Sequence, residues 1–124
     1  QSLAYSTDEG LTWQHYEGNP VLDLKMKDFR DPKVMWNTVN EAWVMSIVKP
    51  LEYTVAFYQS QDLKQWELLS EFTNKNGTDG VWECPDLFPL PVDGDATKIK
   101  WVLFPRCGNS HSRHPRHWLA GKTG

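Results

Sequence analysis

Tyr5-Ser6-Thr7-Asp8-Glu9-Gly10-Leu11-Thr12-Trp13 recurs in weaker form as Gln59-Ser60-Gln61-Asp62-Leu63-Lys64-Gln65-Trp66. Asp8 and Asp62 are 54 positions apart, and Trp13 and Trp66 are 53 apart. Farther along, Arg30-Asp31-Pro32-Lys33-Val34 aligns with Glu83-Cys84-Pro85-Asp86-Leu87, and Pro32 and Pro85 are again separated by 53. Trp43-Val44-Met45 answers Trp101-Val102-Leu103 at a spacing of 58, with a longer loop between. A period near 50 residues that holds about four short strands is the mark of β-propeller blades. The expectation is an all-β chain that supplies about two blades. Blades bury their faces only against neighbours, so two of them are expected to be poorly folded alone.

The segments between these signals read as strands. Ala42-Trp43-Val44-Met45-Ser46-Ile47-Val48, Tyr53-Thr54-Val55-Ala56-Phe57-Tyr58 and Ile99-Lys100-Trp101-Val102-Leu103-Phe104 are rich in β-branched and aromatic residues. They are separated by turn chemistry at Asp8-Glu9-Gly10, Asn37-Thr38-Val39-Asn40, Asn76-Gly77 and Asp93-Gly94-Asp95, and no stretch has the apolar spacing of a helix. Ser6-x-Asp8-x-Gly10-x-Thr12-Trp13 resembles the Asp-box of sialidases and other propellers, a device that stabilises a turn. Asp8 should accept from backbone N–H groups of the turn, Gly10 should take a positive φ, and Trp13 should pack back on the strands.

Composition narrows the function. The 124 residues allow one ordinary domain, and 23% charged with 40% hydrophobic residues is a globular balance. No apolar run reaches the length of a membrane span, and no basic-then-apolar leader opens the chain. The net charge of -3 argues against nucleic acid as a partner. Two Cys, 23 residues apart, form neither a CxxC signature nor a disulfide framework. Seven Trp is a high count. β sequence rich in aromatics often handles carbohydrate, because rings pack on sugar faces while indole N–H groups donate, although most of these Trp are expected to fill a core.

Charge divides the chain. Residues 1–105 hold all 16 acidic residues with eight Lys and one Arg, a net of -7. Residues 106–124 hold Arg106, Arg113, Arg116 and Lys122 with no acid, a net of +4, together with His111, His114 and His117. The division expected is a partial propeller over 1–105 and an atypical basic tail over 106–124, out of frame or disordered. The three tail His stand at i, i+3 and i+6, a spacing that could ligate zinc on a helix, but Pro115 breaks that helix. No metal and no cofactor are expected.

Two segments carry candidate chemistry. In Phe29-Arg30-Asp31-Pro32 a carboxylate lies beside a guanidinium and ahead of a Pro. The Pro should hold Asp31 extended, and the Arg30 charge should keep it ionised, ready to accept from sugar hydroxyls. In Val81-Trp82-Glu83-Cys84-Pro85, Glu83 has apolar neighbours in sequence, which should favour its protonated form and suit a general acid. The repeat points both carboxylates from adjacent blades into one funnel. One ionised and one protonated carboxyl there is the pattern of glycoside hydrolysis.

Taken together, these residues resemble glycoside hydrolase family 32, the β-fructofuranosidases that include invertases, exo-inulinases and levanases. The resemblance runs from Gln1-Ser2-Leu3-Ala4-Tyr5-Ser6 through Trp13, Tyr16-Glu17-Gly18-Asn19-Pro20-Val21-Leu22, Arg30-Asp31-Pro32, Ser60-x-Asp62-Leu63-Lys64-x-Trp66 and Trp82-Glu83-Cys84-Pro85-Asp86-Leu87-Phe88 to about Phe104. It implies an internal fragment of a five-bladed propeller with a funnel-shaped site that retains configuration through a covalent fructosyl-enzyme intermediate. Asp31 then matches the transition-state stabiliser and Glu83 the general acid–base. Arg30, Trp82 and Cys84 are assigned to substrate binding around them, with Cys84 tuning the pocket rather than reacting. The family nucleophile is an Asp in a Trp-Met-Asn-Asp-Pro-Asn-Gly-like motif. No Asn-Asp-Pro occurs here, so the fragment is expected to be inactive alone.

The substrate class implied is a fructose-containing oligo- or polysaccharide such as sucrose, inulin or levan, with no protein, nucleic-acid or membrane partner. Secretion, extracellular or periplasmic, is the family expectation, with a cytoplasmic location, as in sucrose-phosphate hydrolases of the family, as the alternative. The alternatives are another furanosidase-type propeller, such as an arabinanase or xylosidase, and a non-catalytic fructan-binding relative.

Overall fold

The computed structural model describes residues 1–74, 80–108, 116–117 and 120–121. Strands β1 (Ala4–Tyr5) and β2 (Gln14–His15) form a short antiparallel ribbon. A four-stranded antiparallel meander follows, made of β3 (Arg30–Asn37), β4 (Ala42–Lys49), β5 (Thr54–Ser60) and β6 (Glu67–Thr73). A single 3-10 turn, Pro50–Glu52, joins β4 to β5. The next sheet pairs β7 (Val81–Val92) with β8 (Asp95–Gly108), and β9 (Arg116–His117) and β10 (Ala120–Gly121) also pair with β8. The described residues are all-β, with successive antiparallel sheets packed as propeller blades. The sequence period maps onto this order: β3 corresponds to β7 and β4 to β8, and the two Ser-x-Asp turns link β1 to β2 and β5 to β6.

β4 is buried on both faces, which is why its sequence reads as a nearly continuous apolar run. Alternation sends its side chains two ways. Val48, with Val55 of β5, meets Trp82, Leu103 and Cys107 of the next sheet. Met45 and Ile47, with Ala56 and Tyr58, meet Leu22, Phe29 and Trp66 on the opposite face. Each buried aliphatic side chain contributes roughly 1.5–3 kcal/mol, and those facing Trp82 hold the two sheets together.

The turns follow local chemistry. Asp93 (φ 51°) and Gly94 (φ 79°) form the two-residue connection between β7 and β8, and positive φ at both matches the right-handed twist of the strands. At the first Ser-x-Asp turn, the Asp8 carboxylate accepts from the Thr12 amide (2.9 Å) and hydroxyl (2.6 Å). The Ser6 hydroxyl accepts from the Gly10 amide at 2.8 Å, and Gly10 has φ 91°. The bond from the Thr12 hydroxyl first, then those from the Thr12 amide and the Ser6 hydroxyl (2.7 Å), lower the Asp8 carboxyl pKa to about 2.

Two expectations about tryptophan need correction. Trp13 does not pack on strands. It is 65% exposed, and its indole N–H donates to the Gly10 carbonyl at 3.0 Å. The two-residue strands beneath it offer no sheet face, whereas the equivalent Trp66 lies against the Met45–Tyr58 cluster. Nor do most Trp fill a core: among the described residues only Trp82 is buried. Small and branched side chains of β4 and β5 close the space between sheets, leaving the larger indoles exposed or half-buried.

The expected boundary at 105/106 falls inside β8, which continues through Arg106 and the buried Cys107 to Gly108. Most of the basic tail, including His111 and His114, lies outside the described residues, and so does the side chain of His117.

Candidate active site

β3 and β7 open with the same irregularity. The register of β3 against β4 shifts between Arg30 and Lys33, and that of β7 against β8 shifts between Glu83 and Asp86. Each shift is a bulge placed at the residue before Pro. There the backbone turns left-handed, with φ 59° at Asp31 and 44° at Cys84. This corrects the expectation that Pro32 holds Asp31 extended. The steric bias of a following Pro is outweighed by the bulge, and Asp is among the few residues that tolerate this region.

The two bulges face each other. The Cys84 amide donates to Asp31 Oδ2 at 3.0 Å. Arg30 presents Nη2 to Glu83 Oε1 at 3.4 Å, Nη1 to Asp28 Oδ1 at 3.1 Å and Nε toward Asp31 Oδ2 at 3.9 Å. Lys33 Nζ lies 3.4 Å from Asp86 Oδ1. Positions that align in the repeat thus touch in space: Arg30 with Glu83, Asp31 with Cys84, Lys33 with Asp86. The charges at the two Arg/Lys positions are opposite to their counterparts, so the repeat has diverged into a complementary pair.

Glu83 does not sit in an apolar enclosure. Its side chain is 34% exposed and meets the Arg30 guanidinium. The preceding Trp82 points into the core, because successive residues of a strand face opposite sides. The wall beside its carboxylate is Gly108: a Cβ there would stand 3.2 Å from Glu83 Oε2, so a bare backbone leaves this oxygen room.

Trp82 also lies elsewhere than the substrate-binding assignment places it. It is 1% exposed, packed with Val48, Val55, Leu103 and Cys107, and stacked on Phe72 at 5.9 Å. Its indole Nε1 has no hydrogen-bond partner among the described residues. Trp82 is the floor on which Glu83 is mounted, with no surface of its own facing a ligand. Cys84 is exposed beside both carboxylates. Desolvation first, then the Asp31 and Glu83 charges, pushes its thiol above the ordinary value. The thiolate is thereby disfavoured, and Cys84 is a poor nucleophile.

Sequence reasoning singled out Arg30, Asp31, Glu83 and Cys84, and the structure brings these four together. It missed Asp28, Lys33, Asp86 and Gly108. The aligned Lys33/Asp86 pair could have been found from opposite charge at equivalent repeat positions; Asp28 and Gly108 leave no such trace. Among the described residues no three His, Cys, Asp or Glu side chains converge to hold a metal ion. What remains is a cluster of partly exposed groups. Asp31, fixed by an amide and near a guanidinium, can accept from hydroxyls. Glu83 offers a carboxyl for proton transfer.

Comparison with known proteins places this cluster in context. Residues 1–122 match the model of the glycosyl hydrolases family 32 N-terminal domain. A levanase of Bacillus subtilis is 50% identical over 111 residues, covering 88% of this chain and 16% of its own. An extracellular exo-inulinase of Aspergillus niger is 43% identical over 111 residues, covering 83% of this chain and 20% of its own. Among solved structures, β-fructofuranosidase from Schwanniomyces occidentalis complexed with fructosyl-erythritol superposes with a TM-score of 0.81 at 34% identity, over 97% of this chain and 23% of that one. Exo-inulinase from Aspergillus awamori gives 0.82 at 34% identity, over 99% and 26%. The chain spans about a fifth of the length of the relatives it matches.

Proposed function

This chain belongs to glycosyl hydrolase family 32, and from that premise we propose that the protein carrying it releases terminal β-D-fructofuranosyl residues from sucrose, inulin or levan. Glu83 is the general acid–base and Asp31 the stabiliser of the transition state. The observation that supports this reading is the meeting of Asp31 and Glu83 around Arg30, from bulged strand openings on adjacent blades. The levanase, exo-inulinase and fructofuranosidase relatives fit the same substrate class by name.

The chemistry follows from what each group can do. A carboxylate nucleophile, which these 124 residues do not supply in an Asn-Asp-Pro motif, attacks C2 of the fructosyl unit. The C2–O glycosidic bond breaks, and Glu83 gives its proton to the departing oxygen. Water then attacks C2 of the ester, returning its proton to Glu83 and freeing the nucleophile. Asp31 accepts from fructose hydroxyls, bonds that strengthen as the ring flattens toward the oxocarbenium ion. Arg30 aligns both acids. Cys84 lends its amide to Asp31, and its protonated thiol takes no covalent part. Secretion is part of this proposal, in keeping with the extracellular exo-inulinase among the relatives.

The test is Glu83→Gln in the full-length protein that carries these residues, assayed for fructose release from sucrose. Turnover should fall by roughly 10²–10⁴-fold with fructoside binding kept. Near-normal turnover refutes the assignment. Faster hydrolysis of arabinofuranosides than of fructosides by the unsubstituted protein refutes the substrate class.

A further inference from the structure

We infer that Asp28 is a positioning residue for proton transfer by Glu83, acting through Arg30; the inference rests on the acid–base reading of Glu83. Arg30 is the only side chain of β3 that reaches the Glu83 carboxylate among the described contacts, and it does so through Nη2. Its opposite prong, Nη1, is held by Asp28 Oδ1 at 3.1 Å. A guanidinium is a rigid planar fork, so fixing Nη1 fixes the direction of Nη2. With all three side chains about one-third exposed, the attraction in each pair is small and screened. Asp28 therefore matters for direction rather than for binding energy.

Asp28 is itself well placed to act as a fixed post. The intervening Phe29 is driven into the cluster of Met45, Ile47, Ala56 and Tyr58, and its ring meets Tyr58 edge-on at 6.5 Å. The Phe29 carbonyl accepts from the Gln1 side-chain amide at 2.9 Å. Asp28 and Arg30 thus flank an anchored residue. Asp28 has φ 59°, a conformation open to Gly and Asn but strained for most residues. Asp28→Gly keeps the turn and deletes the carboxylate, and Asp28→Asn keeps the turn and one acceptor oxygen.

A group that positions the acid acts only where the leaving group needs a proton. The glucose of sucrose would leave as a sugar alkoxide and needs a proton; p-nitrophenolate, leaving from p-nitrophenyl β-D-fructofuranoside, is stable without one. In the full-length protein carrying these residues, Asp28→Gly should lower kcat/KM for sucrose about tenfold and for the aryl fructoside less than about twofold. Asp28→Asn should show the same selectivity with a smaller loss, and thermal unfolding checks that each variant is folded. Equal losses on both substrates, or no loss on sucrose, overturn the role of Asp28. Glu83→Gln run alongside separates the two claims. If that variant discriminates between the substrates and the Asp28 variants do not, only the Asp28 inference fails. If Glu83→Gln does not discriminate, the acid–base reading fails and the inference falls with it.

Discussion

The amide of Cys84 donates a 3.0 Å hydrogen bond to Asp31 Oδ2 across 53 residues of chain. Donor and acceptor occupy the same position in successive repeats, each left-handed, each ahead of a Pro and each at a bulge. A backbone device duplicated in two blades thus meets its own copy. The carboxylate of one copy is held by the backbone of the other, which ties blade packing directly to the placement of a chemical group.

Asp31 is therefore expected to serve stability as well as chemistry, and substitutions should separate the two. Asp31→Asn keeps an acceptor and tolerates the left-handed backbone, so its unfolding midpoint should stay close to that of the parent. Asp31→Ala loses the hydrogen bond and strains the backbone, for a cost of about 1–3 kcal/mol. Denaturant titration of both variants checks this. Equal stability of the Ala and Asn variants would show that the Cys84 amide bond carries no weight.

Cys84 should react slowly despite its exposure. Desolvation and the neighbouring Asp31 and Glu83 charges raise its thiol, so at neutral pH the thiolate fraction is smaller than for an ordinary cysteine and grows only as pH rises above that ordinary value. Alkylation by iodoacetamide at pH 7.5, followed by mass spectrometry, should be slower than for a model thiol. It should speed up in Glu83→Gln, where one of the repelling charges is gone. A rate equal to the model thiol, unchanged by that substitution, contradicts the account.

Trp82 should behave as packing and not as a binding residue. Trp82→Ala empties the space against Val48, Val55, Leu103 and Cys107, and should cost about 3–5 kcal/mol of stability. Trp82→Phe keeps a ring against Phe72 and removes an indole N–H that has no partner among the described residues, so it should cost less. Calorimetric Tm values order the variants, and KM for sucrose in the folded Phe variant should match that of the parent. A raised KM at unchanged Tm would return Trp82 to the substrate.

The sequence alone determined the all-β class, the period of 53 and the two motifs that bear carboxylates. Each is written along the chain itself: alternation marks a strand, Asp-Gly marks a turn, and the recurrence of one segment in another marks a blade, without reference to what touches what in space. Local reading went wrong where the outcome depends on register. The Pro after Asp31 argues for extended backbone, yet a bulge set by pairing with β4 turned it left-handed. The apolar residues beside Glu83 suggested an apolar pocket, yet pleating sends Trp82 into the core and leaves Glu83 facing Arg30. Asp28 and Gly108 carry no motif at all. Tertiary structure alone decided their places, because which groups meet across two sheets is fixed by blade packing, and that is a property of pairs of strands rather than of any one segment.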